Sequence, residues 1–333
     1  MKIKLDKSSF NQGLKMLKSE YKILAPKTTP FKGTFSDTDI TKYEEISSIE
    51  EIEFNKKSNF SAKETILPIT QVLFYFTEKE YKTSDIDDKK LLVFLRACDL
   101  NGIKRIDEIY LRNGIEKDYF YERLREKVKF VLIGCKESFR NCFCVSMDSN
   151  KSDNYSMAIN LRDDEIYLDI KDSALDIFEG EVCDFEVDYV KENIINLEVP
   201  ENINPVELSK HPMWDEYDAR CIACGKCNFV CPTCTCFTMQ DIFYRDNGNV
   251  GERRRVWASC MVPGYTDMAG NISFRKANGD KMRFKVMHKV YDYKKRFGYH
   301  MCVGCGRCDD VCPEYISFSN CINKLEKAVK EVE

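Results

Sequence analysis

The chain has 333 residues, 43% hydrophobic and 32% charged, with a formal net charge of −4, which is enough length for two globular domains. No apolar run reaches the roughly 20 residues of a membrane span. Seventeen cysteines beside three histidines, with no signal-peptide core at the start, point to reduced thiols, metal binding and a cytoplasmic setting.

Residues 1–205 read as a mixed α/β domain. Ser8 or Ser9 can cap a helix running through Lys18, and Tyr21 to Ala25 reads as a strand. Leu91-Leu92-Val93-Phe94-Leu95 is a short, continuous apolar run that ends in Arg96-Ala97-Cys98-Asp99. Helical stretches follow over Ile103 to Leu111 and Tyr119 to Lys127, and Val128 to Ile133 then leads into Gly134-Cys135. Unbroken apolar strands separated by helices predict a parallel sheet covered on both faces. Both strands deliver a cysteine at their carboxyl ends, where open α/β sheets bind ligands. Further strands are expected at Met157–Ile159, Ile166–Leu168 and Phe185–Val187. Pro205 to Tyr217 reads as a helix leading into the segment that carries the chemistry.

That segment holds two copies of one spacing. Cys221-Ile-Ala-Cys224-Gly-Lys-Cys227-Asn-Phe-Val-Cys231-Pro232 and Cys302-Val-Gly-Cys305-Gly-Arg-Cys308-Asp-Asp-Val-Cys312-Pro313 are both C-x2-C-x2-C-x3-C-P. This is the ferredoxin pattern for [4Fe–4S] ligation, in which the fourth cysteine serves the other cluster. Two clusters are therefore expected: Cys221, Cys224, Cys227 and Cys312 for one, Cys302, Cys305, Cys308 and Cys231 for the other. Zinc sites ordinarily use two separated pairs of ligands, and bridges between cysteines this close would be strained. The function that follows is electron transfer.

The fold class expected is α+β: domain 1–205, then a ferredoxin-like dicluster module over 206–333 with a long insertion at 233–301. From Arg245 to His300 the insertion carries thirteen Lys/Arg against five Asp/Glu, which leaves −12 for the rest of the chain. This basic stretch, Arg253-Arg254-Arg255 included, could dock an acidic partner or offset the charge of the cluster thiolates. Of the other cysteines, Cys98 and Cys135 should meet at one sheet edge, with Cys142 and Cys144 returning to them, so these four are the candidates for a third [4Fe–4S] cluster. The competing set is Cys234, Cys236 and Cys260. Cys183 and Cys321 read as packing residues. No G-x-G-x-x-G follows a strand, and there is no P-loop, nucleophile elbow or H-E-x-x-H. Nor is there the C-x5-C and C-x3-C pair of sirohaem enzymes. Neither flavin nor sirohaem is expected on this chain, so electrons must arrive from and leave to other chains.

The two runs, with Arg96-Ala97-Cys98-Asp99-Leu100, Gly134-Cys135, Cys142-Phe143-Cys144, Cys231-Pro232-Thr233-Cys234, Arg255-Val256-Trp257-Ala258-Ser259-Cys260 and His288-Lys289, resemble the iron–sulfur electron-transfer subunit of anaerobic sulfite reductases. More broadly, they resemble the iron–sulfur β subunits of cytoplasmic sulfhydrogenases. The sulfite-reductase resemblance implies a relay from a flavin- and NADH-linked subunit to a sirohaem subunit that reduces sulfite to sulfide. The alternative is the β subunit of a cytoplasmic [NiFe] sulfhydrogenase. Two readings from other classes are a cluster-based redox sensor and an RNA-binding module, the latter weakened by overall acidity and the lack of an RNA-binding motif. Neither nucleic acid nor membrane is expected as a partner.

Overall fold

A computed structural model describes residues 1–244, 248–270 and 272–332. Strand β1 (Lys2–Leu5) precedes helix α1 (Lys7–Leu17), whose cap is Asp6 rather than a serine: its carboxylate accepts from the Ser9 amide at 2.7 Å. Next come β2 (Tyr21–Thr29), β3 (Ile40–Glu45), β4 (Thr70–Phe76), β5 (Tyr81–Thr83) and β6 (Lys90–Leu95). Helices α2 (Ala97–Leu111) and α3 (Tyr119–Arg125) lead to β7 (Val128–Ile133), β8 (Met157–Arg162), β9 (Glu165–Ile170) and β10 (Glu181–Val182). The strand expected at Phe185–Val187 is not formed; that stretch is irregular, and the strand lies upstream at β10.

Eight strands form one sheet in the order β10-β1-β9-β8-β7-β6-β2-β3. Its centre, β2, β6, β7 and β8, is parallel, as the continuous apolar runs required. Alternation along β6 divides the core. Leu92 and Phe94 face Phe10, Leu14 and Leu17 of α1, whereas Val93 and Leu95 face Leu100, Ile103 and Ile106 of α2. Helices thus cover both faces. Cys98 sits in the first turn of α2, because the helix begins directly after Arg96.

The expected helix from Pro205 to Tyr217 is broken into α4 (Pro205–Leu208), a 3₁₀ turn at Pro212–Trp214 and α5 (Asp215–Arg220). Pro212 has no amide hydrogen to donate and its ring crowds the preceding turn. After α6 (Lys226–Phe229), the insertion forms β11 (Phe237–Phe243) and β12 (Gly251–Trp257). These strands join β4 and β5 in a second sheet, β11-β12-β4-β5, so it contains chain from both sides of residue 205. Helix α7 (Asn278–Met287) continues through a π turn at His288–Asp292 into α8 (Tyr293–Phe297). Last come α9 (Arg307–Val311) and α10 (Phe318–Val332). Phe318, Cys321, Ile322, Leu325, Ala328 and Val329 form one stripe of α10, buried against Trp214, Tyr217, Met282 and Val286. Among the described residues, no helix is long and apolar enough to cross a membrane.

Candidate iron–sulfur centres

The two cysteine runs fold alike. In each, the third residue is left-handed (Ala223, φ 54°; Gly304, φ 59°), and so is the residue after the second cysteine (Gly225, φ 74°; Gly306, φ 69°). The third cysteine then falls in the one-turn helices α6 and α9, capped by those glycines. This backbone turns an amide back onto the first sulfur. The Ala223 amide donates to Cys221 Sγ and the Gly304 amide to Cys302 Sγ, each at 3.4 Å. The Ile316 amide donates likewise to Cys312 Sγ at 3.3 Å. Such N–H···S bonds favour the thiolate and tune a bound cluster.

One cavity is lined by Cys221, Cys224 and Cys227 from the first run together with Cys312 from the second, with Cys308 and Lys285 also on its wall. Its donor set is all thiol, which suits iron–sulfur ligation. Cys224 is exposed at its mouth beside Ile222. The second group lies deeper, with Cys305 buried and Cys231, Cys302 and Cys308 half-buried. Cys302 is pushed up to about 12, chiefly by burial, with the Gly304 amide opposing and the Cys231 and Cys305 thiols adding to the rise. Burial also raises Cys305 and Cys308; Cys231 lies within electrostatic reach of the former, and Cys302 and Cys305 within reach of the latter. Among the described residues, no three His, Cys, Asp or Glu side chains close on the single point that a lone metal ion would occupy.

The N-terminal cysteines lie against the second run. Cys142 Sγ donates to the Cys305 carbonyl at 3.5 Å, and the Phe143 amide donates to the Gly304 carbonyl at 2.8 Å. Burial lifts Cys144 to about 11, Asn193 opposing, with the Cys142 and Cys135 thiols among its neighbours. Cys98 is raised well above its ordinary value by burial, then Asp99, with Arg307 opposing; Cys305 and Cys144 are close enough to contribute. Cys98 and Cys142 thus lie beside Cys305, Cys144 lies next to them, and Cys135 is linked to the group through Cys144. Two hydrogen-bonded ion-pair arms hold it together. The Arg307 guanidinium grips both Asp99 oxygens at 2.7 Å with both partners almost fully buried, and Lys57 bonds Asp310 at 2.5 Å and the Cys305 carbonyl at 3.0 Å.

The competing cysteines are paired differently. Cys234 is in contact with Cys231, and Cys236 with Cys260. Cys236 falls to about 6 because the Cys260 thiol donates to it, while Asn228 Nδ2 donates to Cys260 Sγ at 3.1 Å. Cys321 is fully buried in the C-terminal core, and Cys183 follows β10 at the first sheet's edge.

The basic insertion turns much of its charge inward. Lys281, Lys285 and Lys289 recur every fourth residue, and each is no more than 5% exposed. Lys285 faces the thiols of Cys227, Cys308 and Cys234, Lys289 those of Cys231, Cys234 and Cys302. Lys63 is buried near Cys234 and Cys231, over the Trp257 ring at 4.1 Å. Among the described residues, none of Lys63, Lys285 and Lys289 has a carboxylate within ion-pair distance. Isolated buried ammonium groups are strongly unfavourable. Thiolates of a negatively charged cluster would be their counter-ions, so the residues present fit such a group. The K-x3-K-x3-K spacing was the available sequence signal for this wall. The arginines of β12 are otherwise engaged: Arg253 is bidentate to Asp241 at 2.7 and 2.8 Å, Arg254 pairs with Glu252, and buried Arg255 bonds Asp118 and Gln71. Arg245, also counted in the basic stretch, lies outside the described residues.

Residues 220–316 match the family described as the 4Fe-4S dicluster domain, which indicates [4Fe–4S] clusters in this part of the chain. Over 306 residues the chain is 27% identical to sulfhydrogenase 2 subunit beta of Pyrococcus furiosus, covering 86% of this chain and 90% of that protein. No solved structure matches. The chain thus carries a 4Fe-4S dicluster domain and is similar along most of its length to a sulfhydrogenase β subunit, and of the two resemblances read from the sequence the sulfhydrogenase one is favoured over sulfite reductase.

Proposed function

We propose that the chain relays electrons through [4Fe–4S] clusters within a multi-subunit complex of the sulfhydrogenase type, linking a cofactor-bearing donor or acceptor subunit with a [NiFe] catalytic subunit. Cys221, Cys224, Cys227 and Cys312 would hold the first cluster, Cys302, Cys305, Cys308 and Cys231 the second. Cys98, Cys135, Cys142 and Cys144 would hold a third. The observation that carries the reading is the cavity in which the three thiols of one run meet the fourth thiol of the other. Bound clusters would supply one-electron chemistry. The chain's own residues fix the thiolates through backbone amides, keep water from the second site and supply compensating positive charge.

The sulfhydrogenase assignment rests on the relative's similarity along most of both chains. The native complex, isolated without oxygen, should contain nickel and no sirohaem. Sirohaem in the complex would return the assignment to sulfite reductase. Cys312→Ser should disrupt the cluster of the other run while sparing the one formed around Cys302, as separate EPR signals of the reduced protein would report. An unchanged spectrum would defeat the exchanged ligation.

A further inference from the structure

A buried lysine stands beside thiols of both cysteine runs. Lys285 lines the cavity of Cys221, Cys224, Cys227 and Cys312. It is 5% exposed, and the thiols it faces belong to both runs: Cys227 from the first, Cys308 from the second. Its ammonium lies 5.3 Å from the Phe318 ring. The Asp309 carboxylate feels its charge, yet that carboxylate accepts from the Phe318 amide and the Ser317 hydroxyl, at 2.8 and 3.0 Å. Burial, which favours a neutral amine, is outweighed here by the thiols of Cys227, Cys308 and Cys234.

Lys289, one turn further on, is tied to one side only. Its ammonium donates to Thr233 Oγ1 at 2.7 Å, and its carbonyl accepts from the Met301 and Cys302 amides. The thiols around it are Cys231, Cys234 and Cys302, all on the side of the second cluster.

Resting on the dicluster reading, we propose that Lys285 is an electrostatic bridge: one fixed positive charge shared by both clusters, which favours an added electron on either of them. When an electron passes from one cluster to the other, the donor loses one negative charge and the acceptor gains one, while the lysine keeps its proton. The shared charge therefore shifts both reduction steps in the same direction and changes the difference between them little. Lys289 is a positioning residue that acts on the second cluster alone. In a low-dielectric interior such a charge is screened far less by salt than a surface one.

The test is an EPR-monitored redox titration of the full chain with its clusters assembled, with iron and sulfide assayed on the same samples. Lys285→Met should keep its iron and move both reduction steps to lower potential. Lys289→Met should move one, and Lys285→Arg should restore both. Unmoved steps in Lys285→Met, or a shift of one step only, would overturn the bridge. So would loss of iron from both Lys285→Met and Lys285→Gln, which would make the lysine an assembly residue. Absence of clusters from the wild-type chain is a separate outcome, and it would remove the dicluster reading itself.

Discussion

Ala223 and Gly304 occupy the same place in the two runs and share a left-handed backbone. An L-residue is tolerated at the first, so conformation alone does not demand glycine at the second. Space does. A Cβ on Gly304 would sit 2.4 Å from the Phe143 carbonyl oxygen and 2.6 Å from the Cys144 amide. Gly304→Ala should therefore wedge the second run away from Cys142–Cys144 and destabilise the protein by about 1–3 kcal/mol. Ala223→Gly should change stability by less than about 1 kcal/mol. Denaturant midpoints measured without oxygen would separate the two. The cysteines and glycines of the runs were legible from spacing, but this asymmetry was not, because the neighbour that forbids a methyl lies some 160 residues away. The Asp99–Arg307 pair was hidden for the same reason. Asp99→Ala would strand a guanidinium that is 2% exposed, at a cost of about 3–5 kcal/mol. Equal midpoints for wild type and Asp99→Ala would show that the guanidinium finds another partner.

Elements defined by local pattern were readable, whereas elements defined by distant pairing were not. The apolar runs at Leu91–Leu95 and Val128–Ile133 and the helices beside them follow from periodicity, and the parallel centre of the first sheet follows from those. The second sheet is different. Strand β12 is rich in arginine and looks like solvated surface, yet it pairs with β4 almost 180 residues earlier and buries Arg255 against Asp118. Helix α7 shows the same limit. Its lysines resemble a charged outer face until the thiols they meet are in view. At α10 the pattern and the structure agree, and the energetics can be checked directly. Leu325 is fully buried within the stripe that seals the C-terminal core. Leu325→Ala should cost about 2–5 kcal/mol, seen as an earlier unfolding midpoint. Full iron content at low temperature is expected, since α10 contributes packing rather than a proposed ligand. A cost below about 1 kcal/mol would mean that the helix end frays in solution.

Across the whole molecule the three thiol groups are arranged in series. Cys98 and Cys142 approach Cys305 of the second group, and Cys308 of the second group reaches the wall of the first cavity. The first cavity opens to the surface at Cys224 and Ile222, so a partner could approach there. A relay needs every member of such a series, and the N-terminal group is the member with the least regular spacing. Its ligand set is decided by iron content, at four irons per cubane. With three clusters the wild type should hold about twelve irons per chain. Cys98→Ser and Cys142→Ser should each lower that figure by about four, whereas Cys260→Ser, which alters the Cys236 pair instead, should leave it unchanged. The opposite pattern, in which Cys260→Ser loses iron and Cys98→Ser does not, would transfer the third cluster to the Cys234, Cys236 and Cys260 group. About eight irons in all variants would shorten the relay to two clusters and leave the N-terminal thiols as packing beside Cys305.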